Sequence, residues 1–230
     1  MKLSAPLMLN ALLCASMGAT CAKAADLPIV GGARFNVPVH SLKELKFVST
    51  TRQQYDFSCG SAALATLLTH HYGYPVSETV AFQAMWEQGD QQKIRREGFS
   101  LLDMQRYLAS IGFKADGFRQ PIDKLVSAKV PAIVLISEKG YNHFVVVKGA
   151  DADGRILLGD PSSGTRAITR EHFEAIWPSR LLFVIHDAPN KPQFNLTADW
   201  RAAPRAPLGD AVSRTGIDYL GLPKFGPTDF

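Results

Sequence analysis

Gln53-Gln54-Tyr55-Asp56-Phe57-Ser58-Cys59-Gly60-Ser61-Ala62-Ala63-Leu64 is the stretch whose reading decides the fold. At Cys59 polar and aromatic residues give way to an Ala- and Leu-rich run. Ala62, Ala63, Leu64, Leu67 and Leu68 make a broad apolar face from strong helix formers, so the spacing predicts a helix that starts at the cysteine. His70 and His71 fall in its last turn, where cations suit the helix dipole, and Gly73 followed by Pro75 stops it. A thiol at a helix start is also a chemical feature, because the first N–H groups of a helix favour the thiolate.

Working outward, Ser77-Glu78 opens a second helix to about Trp86, and the polar stretch 87–98 reads as a surface loop. Ser100 and Asp103 form a capping box for a helix through Leu108 that ends near Gly112. The character then changes. Residues 114–118 read as a short strand and 121–128 as a short helix. The runs 133–136, 143–147, 155–158 and 181–185 are strands separated by turn residues at Gly140, 151–154 and 162–164. Residues 171–177 form a short helix before the last strand. Helices first and then a mostly antiparallel sheet is an α+β arrangement. Pairing 143–147 with 155–160 as a hairpin places His143 and Asp160 side by side at one sheet edge.

The chain has 230 residues, enough for one domain with extensions. Residues 1–24 read as a secretory signal: Lys2 is followed by an apolar run from Leu7, too short for a membrane span, and Ala22-Lys23-Ala24 resembles a cleavage site. Cys14 and Cys21 leave with it. Neither suits a lipid anchor, since Leu13 is too large before Cys14 and Gly18 stands where Cys21 needs a large aliphatic residue. Residues 1–24 hold Lys2 and Lys23 and no acid, so their removal lowers the formal charge from +4 to +2. That balance, without a Lys/Arg block, gives no basis for nucleic-acid binding. After the signal no membrane span remains, and 25–44 is an extended segment. The Pro-punctuated tail 187–230 reads as an extended arm or a partly disordered one. His70 and His71 are adjacent, on different helix faces, so no metal site is expected, and no cofactor.

Cys59 then stands as the one cysteine of the mature chain, in an exported protein whose compartment forms disulfides. Attack of a thiol on a carbonyl needs a base, an acceptor that orients the base, and donors for the oxyanion. His143 can be the base, Asp160 the acceptor, and the Cys59 N–H with the Gln53 amide the donors. Each also has a structural reading. Cys59 could fill the core, Gln53 competes with Gln54, His143 could bind backbone at a strand end, and Asp160-Pro161 is a common turn pair. Order and spacing together favour function.

Gln53 with Cys59-Gly60 opening a helix, His143-Phe144-Val145-Val146-Val147 with Gly149, and Leu158-Gly159-Asp160-Pro161 resemble the C39 family of papain-like cysteine peptidases. The resemblance covers about 45–186. It implies a papain-like fold, Cys59 as nucleophile, His143 as base, Asp160 as orienting acid and Gln53 at the oxyanion. That family is best known for leader-cleaving domains of bacteriocin exporters, which cut after a double glycine. Asn142 stands where Gly is common before the histidine. A signal, a stand-alone domain and a Pro-rich arm resemble the C39-like proteases of bacterial functional-amyloid (Fap-type) export systems. This implies the periplasm, and a protein or peptide substrate such as an amyloid subunit or an outer-membrane export pore. The rival readings are a papain-like binding module or chaperone in which catalysis is dispensable, and an acyltransferase or amidase on the same fold. Gly31-Gly32 allows self-trimming, but a flexible linker after the signal is the preferred reading.

Overall fold

A computed structural model of the chain describes residues 25–28, 34–37 and 41–204. The expected signal, Cys14, Cys21, Gly31-Gly32 and the tail from residue 205 lie outside the described residues. Strands β1 (Ala25–Pro28) and β2 (Arg34–Val37) pair antiparallel, with Ala25 opposite Val37, in a unit of their own.

The second unit begins at Leu42. Its helical part holds α1 (Leu42–Leu45), α2 (Cys59–His71), α3 (Glu78–Gln88), α4 (Gln91–Glu97) and α5 (Leu101–Ser110). There follow β3 (Lys114–Arg119), α6 (Ile122–Ala128), β4 (Ala132–Glu138), β5 (Tyr141–Ala150), β6 (Arg155–Asp160), β7 (Gly164–Thr169), α7 (Arg170–Ile176), β8 (Leu181–His186) and α8 (Thr197–Trp200). The sheet runs β3-β8-β4-β5-β6-β7, and every neighbouring pair is antiparallel.

Helix α2 is buried on all sides from Cys59 to Leu68, with only the small polar residues Ser61 and Thr66 among apolar ones, so it shows no exposed polar face there. Gly60 makes this packing work. A Cβ there would lie 2.8 Å from Met104 Cε and 3.0 Å from Phe99 Cβ, so a larger residue would push on both side chains. Leu64, Leu67, Met85, Met104 and Leu108 pack with Phe144 and Val146 in one core; Val145 and Val147 join Ile122, Phe173 and Trp177 in the other. Successive residues of β5 thus feed opposite cores, the mark of a central strand covered on both faces. The α+β arrangement, with N-terminal helices on a mostly antiparallel sheet, is the observed one.

Two local expectations are corrected, and the placement of the arm is added. The stretch 87–98 contains α4, because the Asp90 side chain caps it by accepting the Lys93 N–H at 3.0 Å. Residues 164–169, read only as following a turn, form strand β7, paired with β6 from Arg155–Thr169 to Asp160–Gly164. The described part of the arm, 187–204, is not free. The Gln193 N–H donates to the His71 carbonyl at 2.7 Å, the Asn195 N–H donates to the Lys148 carbonyl at 2.8 Å, and α8 places Asp199 against buried Lys148 at 3.2 Å. A Cβ on Gly149 would lie 2.9 Å from the Asn195 Cα, so that glycine admits the arm. The Ser100–Asp103 capping box is present as expected, with both reciprocal bonds.

Candidate active site

Cys59 is the first residue of α2, so its N–H lies outside the helix's own hydrogen-bond ladder. The preceding turn is fastened by Ser58, whose hydroxyl accepts from the Tyr55 N–H and donates to the Tyr55 carbonyl, both at 3.0 Å. Ser61, one residue past Gly60, donates to the Ser58 carbonyl and to buried Glu78. These bonds fix where the helix starts. Cys59 is left 7% exposed.

His143 is the third residue of β5 and Asp160 the last of β6. Val146 lies opposite Gly159, which makes His143 and Asp160 diagonal neighbours at the end of the hairpin. The His143 Nε2–H donates to Asp160 Oδ1 at 2.7 Å, with both side chains buried. Asp160 Oδ1 also accepts from the Ser162 N–H at 2.9 Å and the Ser162 hydroxyl at 2.7 Å, and Arg166 Nε donates to Oδ2 at 3.2 Å. Nδ1 of His143 is buried without a hydrogen bond, and Cys59 is near enough for its side chain to act on the imidazole. Burial opposes the imidazolium. The bond to Asp160, the Cys59 side chain and their charges outweigh it and raise the His143 pKa to about 9. Burial likewise opposes the Asp160 carboxylate, and the bond and charge of His143 with the Ser162 donors outweigh it, holding that carboxyl well below the usual range.

The structure thus brings Cys59, His143 and Asp160 together. Gln53 is held beside them, since its N–H donates to the Pro161 carbonyl at 3.1 Å, next to Asp160. Its side-chain amide is engaged by the loop before α2. Nε2 donates to the Tyr55 carbonyl at 3.0 Å and to the Asp56 carbonyl at 3.5 Å, and Oε1 is buried without a partner. Gln54, its rival by sequence, turns away to Thr79 at 2.9 Å.

Two cavities flank the pair. One, of about 770 Å³, is lined by Cys59, Phe99, Leu101, Leu135, Asn142 and Phe144, with Lys93 and Arg96 also on it. The other, of about 450 Å³, is lined by His143, Asp160, Glu138, Lys139, Ser162 and Arg166. Tyr141 lines both. Sequence reasoning missed Arg166, Ser162 and Tyr141. Arg166 stood in an unrecognised strand, Ser162 was read as turn chemistry alone, and Tyr141 could have been found by its spacing of two from His143 on one strand face.

Chemically, the arrangement offers a thiol at a helix start, a nearby imidazole, and a buried carboxylate bonded to one imidazole nitrogen, the groups that nucleophilic catalysis by a thiol can use. Among the described residues no cluster of three or more His, Cys, Asp or Glu could hold a metal ion. No helix of the described residues is long and apolar enough to cross a membrane.

The model of the peptidase C39 family matches residues 48–189. A Pseudomonas fluorescens protein, "Probable functional amyloid protease FapD", is 38% identical over 187 residues, spanning 79% of this chain and 82% of that one. Its Pseudomonas aeruginosa namesake is 36% identical over 211 residues, spanning 89% and 93%. Among solved structures, the peptidase domain of Streptococcus ComA, a bi-functional ABC transporter involved in quorum sensing, superposes with a TM-score of 0.51 at 22% identity. The match covers 62% of this chain and 98% of that domain, and it speaks for the fold.

Proposed function

The chain belongs to the peptidase C39 family, and from that premise we propose that it is a periplasmic endopeptidase of a functional-amyloid assembly system. That it is a cysteine peptidase follows from the family. The triad, the compartment and the substrate are the proposal. The observation that carries the triad is the 2.7 Å bond between buried His143 and Asp160, with the other imidazole nitrogen unbonded beside Cys59. The relatives named as amyloid proteases support the assembly role, and the signal-like residues 1–24 support the compartment.

The chemistry runs as follows. His143 Nδ1 takes the Cys59 proton, and the sulfur attacks a peptide carbonyl carbon. The carbonyl π electrons move to oxygen, where the Cys59 N–H stabilises the charge. Gln53 is the second donor, once one of its amide N–H groups turns from the loop carbonyls to the oxyanion. The imidazolium, oriented by Asp160, then gives its proton to the departing amine and leaves a thioester on Cys59. Water attacks the thioester with His143 as base, and the acid product leaves as the thiol is restored.

The test uses the purified chain with the amyloid subunit and the outer-membrane pore of its own export system as substrates, read by intact mass. The parent is expected to cut one of them, and Cys59→Ala to cut neither. Cleavage by Cys59→Ala would remove the thiol mechanism. A parent that cuts neither would remove the substrate assignment. Osmotic-shock fractionation places the compartment.

A further inference from the structure

Tyr141 is the first residue of β5, two before His143, and the centres of the two rings are 5.9 Å apart. Its hydroxyl donates to the Asp56 carbonyl at 2.8 Å. Asp56 lies three residues before Cys59, in the loop that delivers the helix start. The side chain therefore reaches from the strand that carries His143 to the segment that carries Cys59. It is the residue shared by the two cavities, so a chain running from one cavity to the other meets it.

The backbone beneath it is firmly set. Lys139 and Gly140 have φ of 54° and 80°, a two-residue hairpin turn, and Glu138 pairs with Tyr141 across it. Tyr141, by contrast, is 54% exposed, so its side chain has solvent to turn into once the bond to Asp56 opens. Opening is then a matter of one hydrogen bond and a rotamer, with no loop movement. Burial, and after it the neighbouring Cys59 and Asp56, push the phenol pKa up, so the hydroxyl stays a donor at neutral pH.

We propose that Tyr141, tethered to Asp56, is the size filter of the active site: it bars bulky groups from Cys59 until its hydrogen bond opens. The proposal rests on the reading of Cys59 as a reactive nucleophile. It assigns Tyr141 a role in selecting which substrate segments enter, and gives it no part in the bond-breaking steps.

The experiment needs no natural substrate. Cys59 in the full chain is alkylated with iodoacetamide and, separately, with N-(1-pyrenyl)iodoacetamide, and the rate constants are read by intact mass. Tyr141→Phe keeps the ring and loses the bond. It is expected to react about fivefold faster with the pyrenyl reagent, the factor that one net hydrogen bond supplies, with the iodoacetamide rate nearly unchanged. Tyr141→Ala is expected to raise the pyrenyl rate further. A pyrenyl-to-iodoacetamide ratio equal in the parent and both variants overturns the filter, whether the two rates move together or stay put. No labelling by iodoacetamide in any folded form is a different failure: it removes the reactive thiol itself, and the filter with it.

Discussion

Asp160 collects more donors than the orientation of one imidazole requires. Oδ1 accepts from His143, from the Ser162 N–H and hydroxyl, and from the Ser163 N–H at 3.3 Å. Oδ2 faces Arg166, whose other end binds Glu138 at 2.9 Å. A carboxylate so surrounded cannot rotate, so the His143 ring it holds cannot rotate either. The bond to Asp160 is also the largest influence raising the His143 pKa. The imidazolium therefore persists to about pH 9, and the basic limb of kcat/KM is expected near that value. Asp160→Asn is expected to move this limb downward and to lower kcat by about 10⁴-fold, the size of the loss when the orienting acid of a nucleophilic triad is removed. A pH–rate series on any cleaved peptide checks both. The sign for stability agrees: a folded-state pKa raised above 6.5 stabilises the fold below that pH, and the contribution is lost as pH rises through about 9.

At the scale of elements, the described arm closes over the far end of α2. His71 is buried there, and its Nδ1–H donates to the Gln193 carbonyl at 2.7 Å while Nε2 has no partner. Burial is the main influence on this ring and the nearby Lys148 charge adds to it. Together they outweigh the Gln193 bond and lower the pKa to about 4. The unfolded chain thus binds a proton at a pH where the folded one does not. The contribution is complete above pH 6.5 and is lost as pH falls toward 4, by up to about 3 kcal/mol. Amide exchange at Gln193 and Asn195, corrected for intrinsic rates, should speed over that window, and His71→Gln should flatten the dependence. The sequence allowed His71 to be read only as a dipole-compensating residue. Its real partner is 122 residues away and irregular in structure, so no local period announced it. The hairpin that joins His143 to Asp160 was legible because one half is a β-branched run and the other an aliphatic one, separated by an Asp/Gly turn. Strand β7 was not: Thr165, Arg166 and Ala167 carry no apolar alternation, since this is an edge strand whose middle is half exposed. The resting bonds of the Gln53 amide were not legible for a similar reason, because its acceptors are carbonyls brought within reach only once the loop has folded.

Across the second unit as a whole, one buried charge joins the arm, the segment before α2 and the strands that carry the site. Lys148 sits at the irregularity between Val147 and Gly149, fully buried. Its ammonium donates to the Ser49 carbonyl at 2.8 Å and hydroxyl at 2.7 Å and pairs with Asp199 of α8 at 3.2 Å. Ser49 in turn donates to Asp199. The Lys148 stem lies against Gly159, where an added Cβ would sit 3.0 Å from Cδ, and Gly159 precedes Asp160. Such a pair gains little over apolar side chains of equal volume, because desolvation offsets the attraction, yet removing one partner strands the other. Lys148→Met is therefore expected to cost about 3–5 kcal/mol in urea unfolding, since Asp199 stays buried with Ser49 as its remaining donor. Lys148→Met combined with Asp199→Leu is expected to recover most of that loss. Equal losses in the single and double variants would mean that the lysine stem packed under Gly159 stabilises the unit, and not the ion pair. Recovery would mean that the arm is fastened by charge and that the strand leading to Asp160 tolerates an apolar stem beneath it.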